Sequence, residues 1–149
     1  MNTPIKWLVT ASLINLLGNA LGTIVSVQRN LAADWGGSLN GQNVLRDFLG
    51  LKGTALSAPL SFMLIQLILT WLAQRPGRIA AVGIGGLAFF GLFYILAQAG
   101  EPIMLRQFRG GFDLVQSLIL AVNLLSAIAM LALGVRALWV RHAFRLVRV

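Results

Sequence analysis

The sequence contains no cysteine and a single histidine, His142, and these two scarcities exclude much chemistry. Without cysteine the chain forms no disulfide, thiolate metal site, iron–sulfur cluster or cysteine nucleophile. His142 lies in a basic segment near the C-terminus, so the apolar stretches offer no imidazole to a haem or a similar pigment. We therefore expect no metal site and no cofactor.

Charge is also scarce, since only 11% of the residues are charged. A soluble domain normally has about a quarter. Every charged residue lies outside four windows of 22 residues each: 7–28, 53–74, 79–100 and 114–135. Because roughly 20 apolar residues cross a membrane as a helix, these windows predict four transmembrane helices.

The predicted fold is an all-α integral membrane four-helix bundle that forms one domain over residues 1–149. We expect the first helix to be retained rather than cleaved as a signal sequence, because it is longer than a typical signal core and polar amides interrupt it. The predicted helices cover about 6–28, 54–74, 78–100 and 113–140.

The distribution of cations predicts the orientation. One side, with both termini and the 75–78 turn, carries seven Lys and Arg residues and no acid. The other side carries five cations and all four acids. The positive-inside rule therefore predicts cytoplasmic termini, in a membrane of the bacterial inner-membrane type. The basic C-terminal tail "RALWVRHAFRLVRV" favours anionic lipid headgroups as its partner, and we expect no nucleic acid.

The long connection between the first two helices contains a second helical signal. A short amphipathic helix is predicted over about 43–50, where Asn43 is suited to cap the start and Gly50 the end. Two interpretations remain open. The helix lies in the outer interface, or it covers a cavity or docks a partner.

Four amides lie near the midpoints of three different windows: Asn15, Asn19, Gln66 and Asn123. We expect those of the first helix to meet Gln66 and Asn123 inside the bundle. One interpretation is interhelical hydrogen bonding, at ~0.6 kcal/mol per bond, and the other is a binding site or pathway for a small solute. The absence of an ionisable residue at this depth argues against a proton-coupled carrier with a buried carboxylate.

Two further groups of residues complete the candidates. A polar cluster is predicted at the outer mouth, as a solvated loop, as the entrance of a cavity or as a patch that recognises a partner's extramembrane face: Arg29, Tyr94, Gln98, Glu101, Arg106 and Arg109. Small residues that permit close helix packing are predicted on the first and third helices: Gly18, Gly22, Gly83 and Gly86. One glycine face is expected to be internal and a second to be offered to a partner subunit.

No catalytic constellation is present in the sequence, since the windows hold only amides, hydroxyls and one tyrosine. The predicted function is therefore a non-catalytic accessory or scaffolding subunit of a larger membrane assembly, whose partners are other membrane subunits or further copies of the chain. The alternative is a homo-oligomeric channel or carrier that uses the amide cluster to bind a small solute.

Overall fold

A computed structural model describes residues 3–34 and 43–146, without the side chains of 108 and 142–146. In these residues the fold is all-helical, with no β-strand. Its helices are α1 (Thr3–Arg29), α2 (Val44–Leu49), α3 (Leu60–Ala73), α4 (Gly77–Ala99), α5 (Pro102–Phe108) and α6 (Leu114–Leu146). Three of them, α1, α4 and α6, are long and apolar enough to cross a membrane.

Most predicted helices form close to their expected bounds. The short amphipathic helix exists as α2, where the Asn43 side chain accepts a hydrogen bond from the Arg46 backbone N–H at 3.0 Å. Helix α6 extends past the predicted end at 140 to Leu146 and includes most of the basic tail, whose Arg148 lies outside the described residues. The turn-rich stretch 35–42 also lies outside them.

The predicted helix over 54–74 is wrong in its first turns, because α3 begins only at Leu60. Residues 53–59 instead form an irregular segment, in which the backbone N–H of Thr54 donates to the Ser57 carbonyl at 2.9 Å. Pro59 explains the break, since a proline disfavours helical backbone at the residue before it. With 14 residues, α3 has a length of about 21 Å, too short for a hydrocarbon core of ~30 Å.

Helix α6 packs along both α1 and α4, whereas α3 packs against α4 and more briefly against α1. We call the half with the start of α1 and the α3–α4 turn the inner half, and the opposite half the outer half. The inner half holds the main apolar core, whose central side chains Leu8, Ile84, Leu87 and Met130 are inaccessible to solvent. A smaller apolar cluster of Leu56, Ile119 and Leu120 lies in the outer half.

The four predicted packing glycines all lie against other parts of the same chain. A Cβ at Gly83 would collide with the backbone of α3, and one at Gly22 would collide with the Leu56 carbonyl of the irregular segment. A Cβ at Gly18 would collide with the Asn123 side chain, and one at Gly86 would collide with the Leu69 side chain. All four positions are therefore used for packing within the chain.

The connection after α4, interpreted from sequence as a loop, contains the additional helix α5. Pro102 occupies its first turn, where a missing N–H is tolerated. The Gln107 side chain ties this helix to α6: its Oε1 accepts from the Asp113 backbone N–H at 2.8 Å, and its Nε2 donates to Gln116 Oε1 at 2.9 Å.

Candidate functional site: a cavity beside the amide network

The deepest part of the site is a hydrogen-bond network between α1, α3 and α6. Asn15 Nδ2 donates to the Asn123 carbonyl at 3.1 Å and to Ser126 Oγ at 2.9 Å. Gln66 Nε2 donates to Asn15 Oδ1 at 3.3 Å and to Ser12 Oγ at 3.0 Å. Asn15 and Gln66 are fully buried, so these bonds satisfy amides that would otherwise be costly in an apolar interior.

Two other amides bind the backbone of the irregular segment 53–59. Asn19 Oδ1 accepts from the Ala58 backbone N–H at 2.7 Å, and Asn123 Nδ2 donates to the Leu56 carbonyl at 3.1 Å. Thr54 Oγ1 adds a bond to Ser26 Oγ at 3.0 Å. Non-helical backbone at membrane depth needs such partners, because no water is there to satisfy it.

The expected contacts of the helix 1 asparagines are thus correct for Asn15 and wrong for Asn19. Asn15 reaches both Gln66 and Asn123, but Asn19 bonds to Asn15 and to the backbone at Ala58. The reason is the late start of α3. Peptide groups before Pro59 lack helical hydrogen-bond partners, although the sequence pattern predicted helical turns there. Pro59 in a charge-free window was the available signal for this break.

A cavity of about 290 Å³ lies beside the irregular segment. It lies between this segment and the outer part of α4. Its floor contains Asn15, Asn19, Asn123 and Tyr94, and its walls include Phe62, Phe93, Ala97 and Leu120. The cavity therefore has an apolar wall and a polar floor, a combination typical of small-molecule sites.

The floor retains some hydrogen-bonding capacity after its internal bonds are counted. Tyr94 donates its hydroxyl proton to Gln66 Oε1 at 2.8 Å, which leaves the phenolic oxygen free to accept. Asn19 Oδ1 accepts one bond, from Ala58, and has a second lone pair. Asn123 Oδ1 has no hydrogen-bond partner among the described residues and packs against Gly18.

Glu101 lines the mouth of this cavity and also a second cavity of about 280 Å³. Its side chain is only 7% exposed, and Oε2 accepts a hydrogen bond from the Asp34 backbone N–H at 3.3 Å. Burial raises the pKa of the Glu101 carboxyl to about 7; the Asp34 N–H opposes this shift and the Asp34 charge adds to it. A carboxyl in this state exchanges a proton near neutral pH.

The predicted outer-mouth cluster divides into separate groups. Tyr94, Gln98 and Glu101 line the first cavity, and Arg106 lines the second, beside Glu101. Tyr94 belongs to the floor rather than to the mouth.

Arg29 and Arg109 lie apart from both cavities. Arg29 forms an ion pair with Asp113 at the start of α6, and the pKa of Asp113 is lowered first by the Gln116 backbone N–H and then by Arg29. Arg109 follows α5 and lines neither cavity. In the described part of the chain, no group of three His, Cys, Asp or Glu residues could hold a metal ion.

The chain matches no protein-family model, no curated protein and no solved structure.

Proposed function

We propose that this protein is a non-catalytic membrane protein that binds a small lipophilic molecule in the cavity beside the irregular segment. The observation that carries the proposal is the cavity of about 290 Å³ where α3 lacks its outer turns. Apolar walls favour a lipophilic ligand, and the oxygens of Tyr94 and Asn19 on the floor can accept a hydrogen bond from it.

In this proposal the protein is a four-helix bundle in a bacterial-type inner membrane, and both of its termini lie in the cytoplasm. Helix α3 together with residues 53–59 supplies the fourth crossing, so both termini lie on one side. That side carries seven cations and no acid, which by the positive-inside rule is the cytoplasm. The cavity then opens towards the outer leaflet, where the exposed Leu45 and Leu49 of α2 contact lipid.

Of the two functions that the sequence leaves open, the cavity favours the carrier or solute-binding protein over the accessory subunit. A subunit interface was expected on a free glycine face, and all four glycines are used internally. The described lining residues all belong to one chain, so an oligomer is not needed to build the cavity. Leu8, Ile84, Leu87 and Met130 fill the inner half, which supports a closed binding site rather than an open channel.

The absence of a catalytic role is part of the same proposal. Among the described residues, the cavity lining offers amides, hydroxyls, one lysine and one carboxyl, and these do not form a nucleophile with an adjacent base. Lipid headgroups at the basic end of α6 remain the expected partner of the tail.

The test is a substitution that fills the cavity, followed by a measurement of the small molecules that co-purify with the protein. Ala97→Phe places a ring in the cavity, whereas Leu92→Phe adds a ring of similar size at an exposed position of the same helix. We expect mass spectrometry of extracts to find a small lipophilic molecule with wild type and with Leu92→Phe, at about one per chain, but not with Ala97→Phe. Equal amounts in all three proteins, or none in wild type, would contradict the proposal.

A further inference from the structure

We infer that the cavity selects a lipophilic amine, a molecule whose cationic end pairs with Glu101 and whose hydrocarbon body lies along α4 towards Phe93. This inference rests on the proposed binding function and names the chemical class of the ligand.

The first observation is a buried carboxylate that lacks a cation. Glu101 is 7% exposed, and among the described residues its carboxyl accepts one hydrogen bond, from the neutral Asp34 backbone N–H. The ion pairs among the described residues are Arg29–Asp113 and Lys52–Asp47, and neither includes Glu101. Because a buried charge is stable only when it is paired, the ionised carboxylate needs a cation that the described part of the chain does not supply.

The second observation is the line of side chains below Glu101. Phe93, Ala97 and Glu101 are spaced four residues apart and line the same cavity. At 1.5 Å per residue, the helical rise from Phe93 to the end of α4 at Ala99 is about 9 Å, and Glu101 follows two residues later. Phe62 lies beside Phe93, with 5.3 Å between the ring centroids, and completes an aromatic end to the cavity. A ligand with one charged end and an apolar body about 10 Å long fits this arrangement.

The other charged groups near Glu101 lie on three different segments. Lys52 also lines the first cavity, but its Nζ lies 3.9 Å from Asp47 Oδ1, so a neighbouring acid offsets its charge. Asp34 and Arg106 line the second cavity beside Glu101 and carry opposite charges. Asp47 offsets Lys52, and Asp34 and Arg106 line the second cavity rather than the first, so Glu101 is the charge that distinguishes a cation from a neutral molecule in the first cavity.

Proton release accompanies cation binding in this arrangement. The pKa of Glu101 is about 7 in the unliganded protein, so below that pH most carboxyls are neutral and attract a cation weakly. A permanently charged ligand therefore binds more tightly as the pH rises. Between pH 8 and pH 5.5 the ionised fraction, and with it the affinity, falls about 30-fold.

The experiment uses two probes of the same shape, octyltrimethylammonium and its neutral isostere 2,2-dimethyldecane. The chain has no native cysteine, so Ala97→Cys gives a single reporter in the cavity, which N-ethylmaleimide labels in lipid nanodiscs. We expect the ammonium probe to slow this labelling at pH 8 at concentrations at least tenfold lower than the alkane requires. In the double variant Ala97→Cys/Glu101→Gln, the ammonium probe should lose this advantage. The alkane should protect at a concentration within twofold of the one that it requires in Ala97→Cys alone.

The pH dependence tests the inference without a substitution at Glu101. Protection by octyltrimethylammonium, whose own charge does not titrate, should weaken about 30-fold between pH 8 and pH 5.5, whereas protection by the alkane should not change. Equal protection by both probes, or a cation effect that persists in Glu101→Gln, would overturn the inference and leave a site for neutral molecules. Failure of both probes to protect would overturn the binding function as well.

Discussion

The inner and outer halves of the molecule solve the same packing problem in different ways. In the inner half, glycines let α3 approach α4 closely, and the side chains of Leu8, Ile84 and Met130 are fully buried in the apolar core. In the outer half, α3 is replaced by the irregular segment 53–59, held by side-chain amides beside a cavity of about 290 Å³. Regular helix packing closes one half, and the loss of helical turns opens the other.

The comparison shows why the amides are divided between two tasks. Asn15 and Gln66 bond mainly to side chains and carbonyls of the neighbouring helices, at the level where the packing is still regular. Asn19 and Asn123 lie closer to the break and bond to peptide groups that a continuous α3 would have satisfied itself. The same residue type therefore links helices at one level and replaces helical hydrogen bonds at the next.

The largest effect is expected from breaking the close packing of the inner half. In Gly83→Ala the new Cβ collides with the α3 backbone at Leu69 and Ala73, and we expect a loss of about 3 kcal/mol in the free energy of unfolding. Gly85→Ala is the matched control, because its Cβ meets only the Leu138 side chain at 3.9 Å. It should be neutral or stabilising by up to about 1 kcal/mol, since alanine favours helix over glycine.

Unfolding in mixed micelles by titration with dodecyl sulfate measures both variants. If Gly83→Ala and Gly85→Ala changed the free energy of unfolding equally, close approach of α3 and α4 would not hold the inner half together.

A smaller effect is expected in the outer half from Asn19→Leu. The substitution leaves the Ala58 backbone N–H without its acceptor and removes a bond to Asn15. Leaving such a buried group unsatisfied costs about 2 kcal/mol. Hydrogen exchange should increase at residues 54–58 and stay slow at Ile84 and Leu87 in the inner half.

Thr10→Val is a suitable control for Asn19→Leu, because the exposed Thr10 hydroxyl bonds only within α1, to the Lys6 carbonyl. It should change neither region. Equal increases in exchange in both halves after Asn19→Leu would show that the halves do not open separately.

The sequence predicted the regular parts of this molecule better than the irregular one. Charge-free windows located α1, α4 and α6 because a spanning helix must be apolar over its whole length, whatever its neighbours are. The window over 53–74 met the same criterion, yet Pro59 divides it into a short helix and an irregular segment. Hydropathy cannot distinguish these outcomes, because the irregular segment is buried by protein and remains apolar.

The site was predicted in part, for related reasons. The positions of Asn15, Gln66 and Asn123 along their helices predicted that they lie at the same depth in the membrane. In the structure, Asn15 forms hydrogen bonds with both of the other residues. The cavity could not be inferred, since it lies beside residues 53–59, which the sequence pattern predicted to be helical. Glu101 was placed at the outer mouth, but its burial between two cavities results from the Asp34 loop and α5, whose positions no residue pattern indicated.

A pH titration should sharpen the comparison further, because Glu101 belongs to the outer half alone. The folded carboxyl keeps its proton up to a pKa of about 7, whereas an unfolded one releases it near 4.5. The folded state therefore binds more protons between these values, and its stability falls as the pH rises from about 4.5 to about 7, then levels off. We expect a loss of at least about 1 kcal/mol, because each unit of difference between the folded and unfolded pKa corresponds to about 1.4 kcal/mol.

Glu101→Gln isolates this contribution from other carboxyls such as Asp113, whose lowered pKa acts in the opposite direction at acidic pH. The difference in free energy of unfolding between wild type and Glu101→Gln should change across the window from about pH 4.5 to about pH 7 and be constant above it. A difference that does not depend on pH would mean that Glu101 is not buried in the folded protein.

The last prediction concerns the orientation of the molecule and uses two exposed positions, where a cysteine should not change stability. It tests which half faces the cell exterior. Leu51, which is 77% exposed, lies at the outer mouth, and the exposed Arg78 lies near the α3–α4 turn at the inner end. Each can carry the only cysteine of the chain. Because the cations without acids lie on the inner side, a membrane-impermeant maleimide should label Leu51→Cys on intact cells and Arg78→Cys only after the cells are opened. The reverse pattern would turn the cavity towards the cytoplasm, and its ligand would then have to come from the inner leaflet or the cytosol.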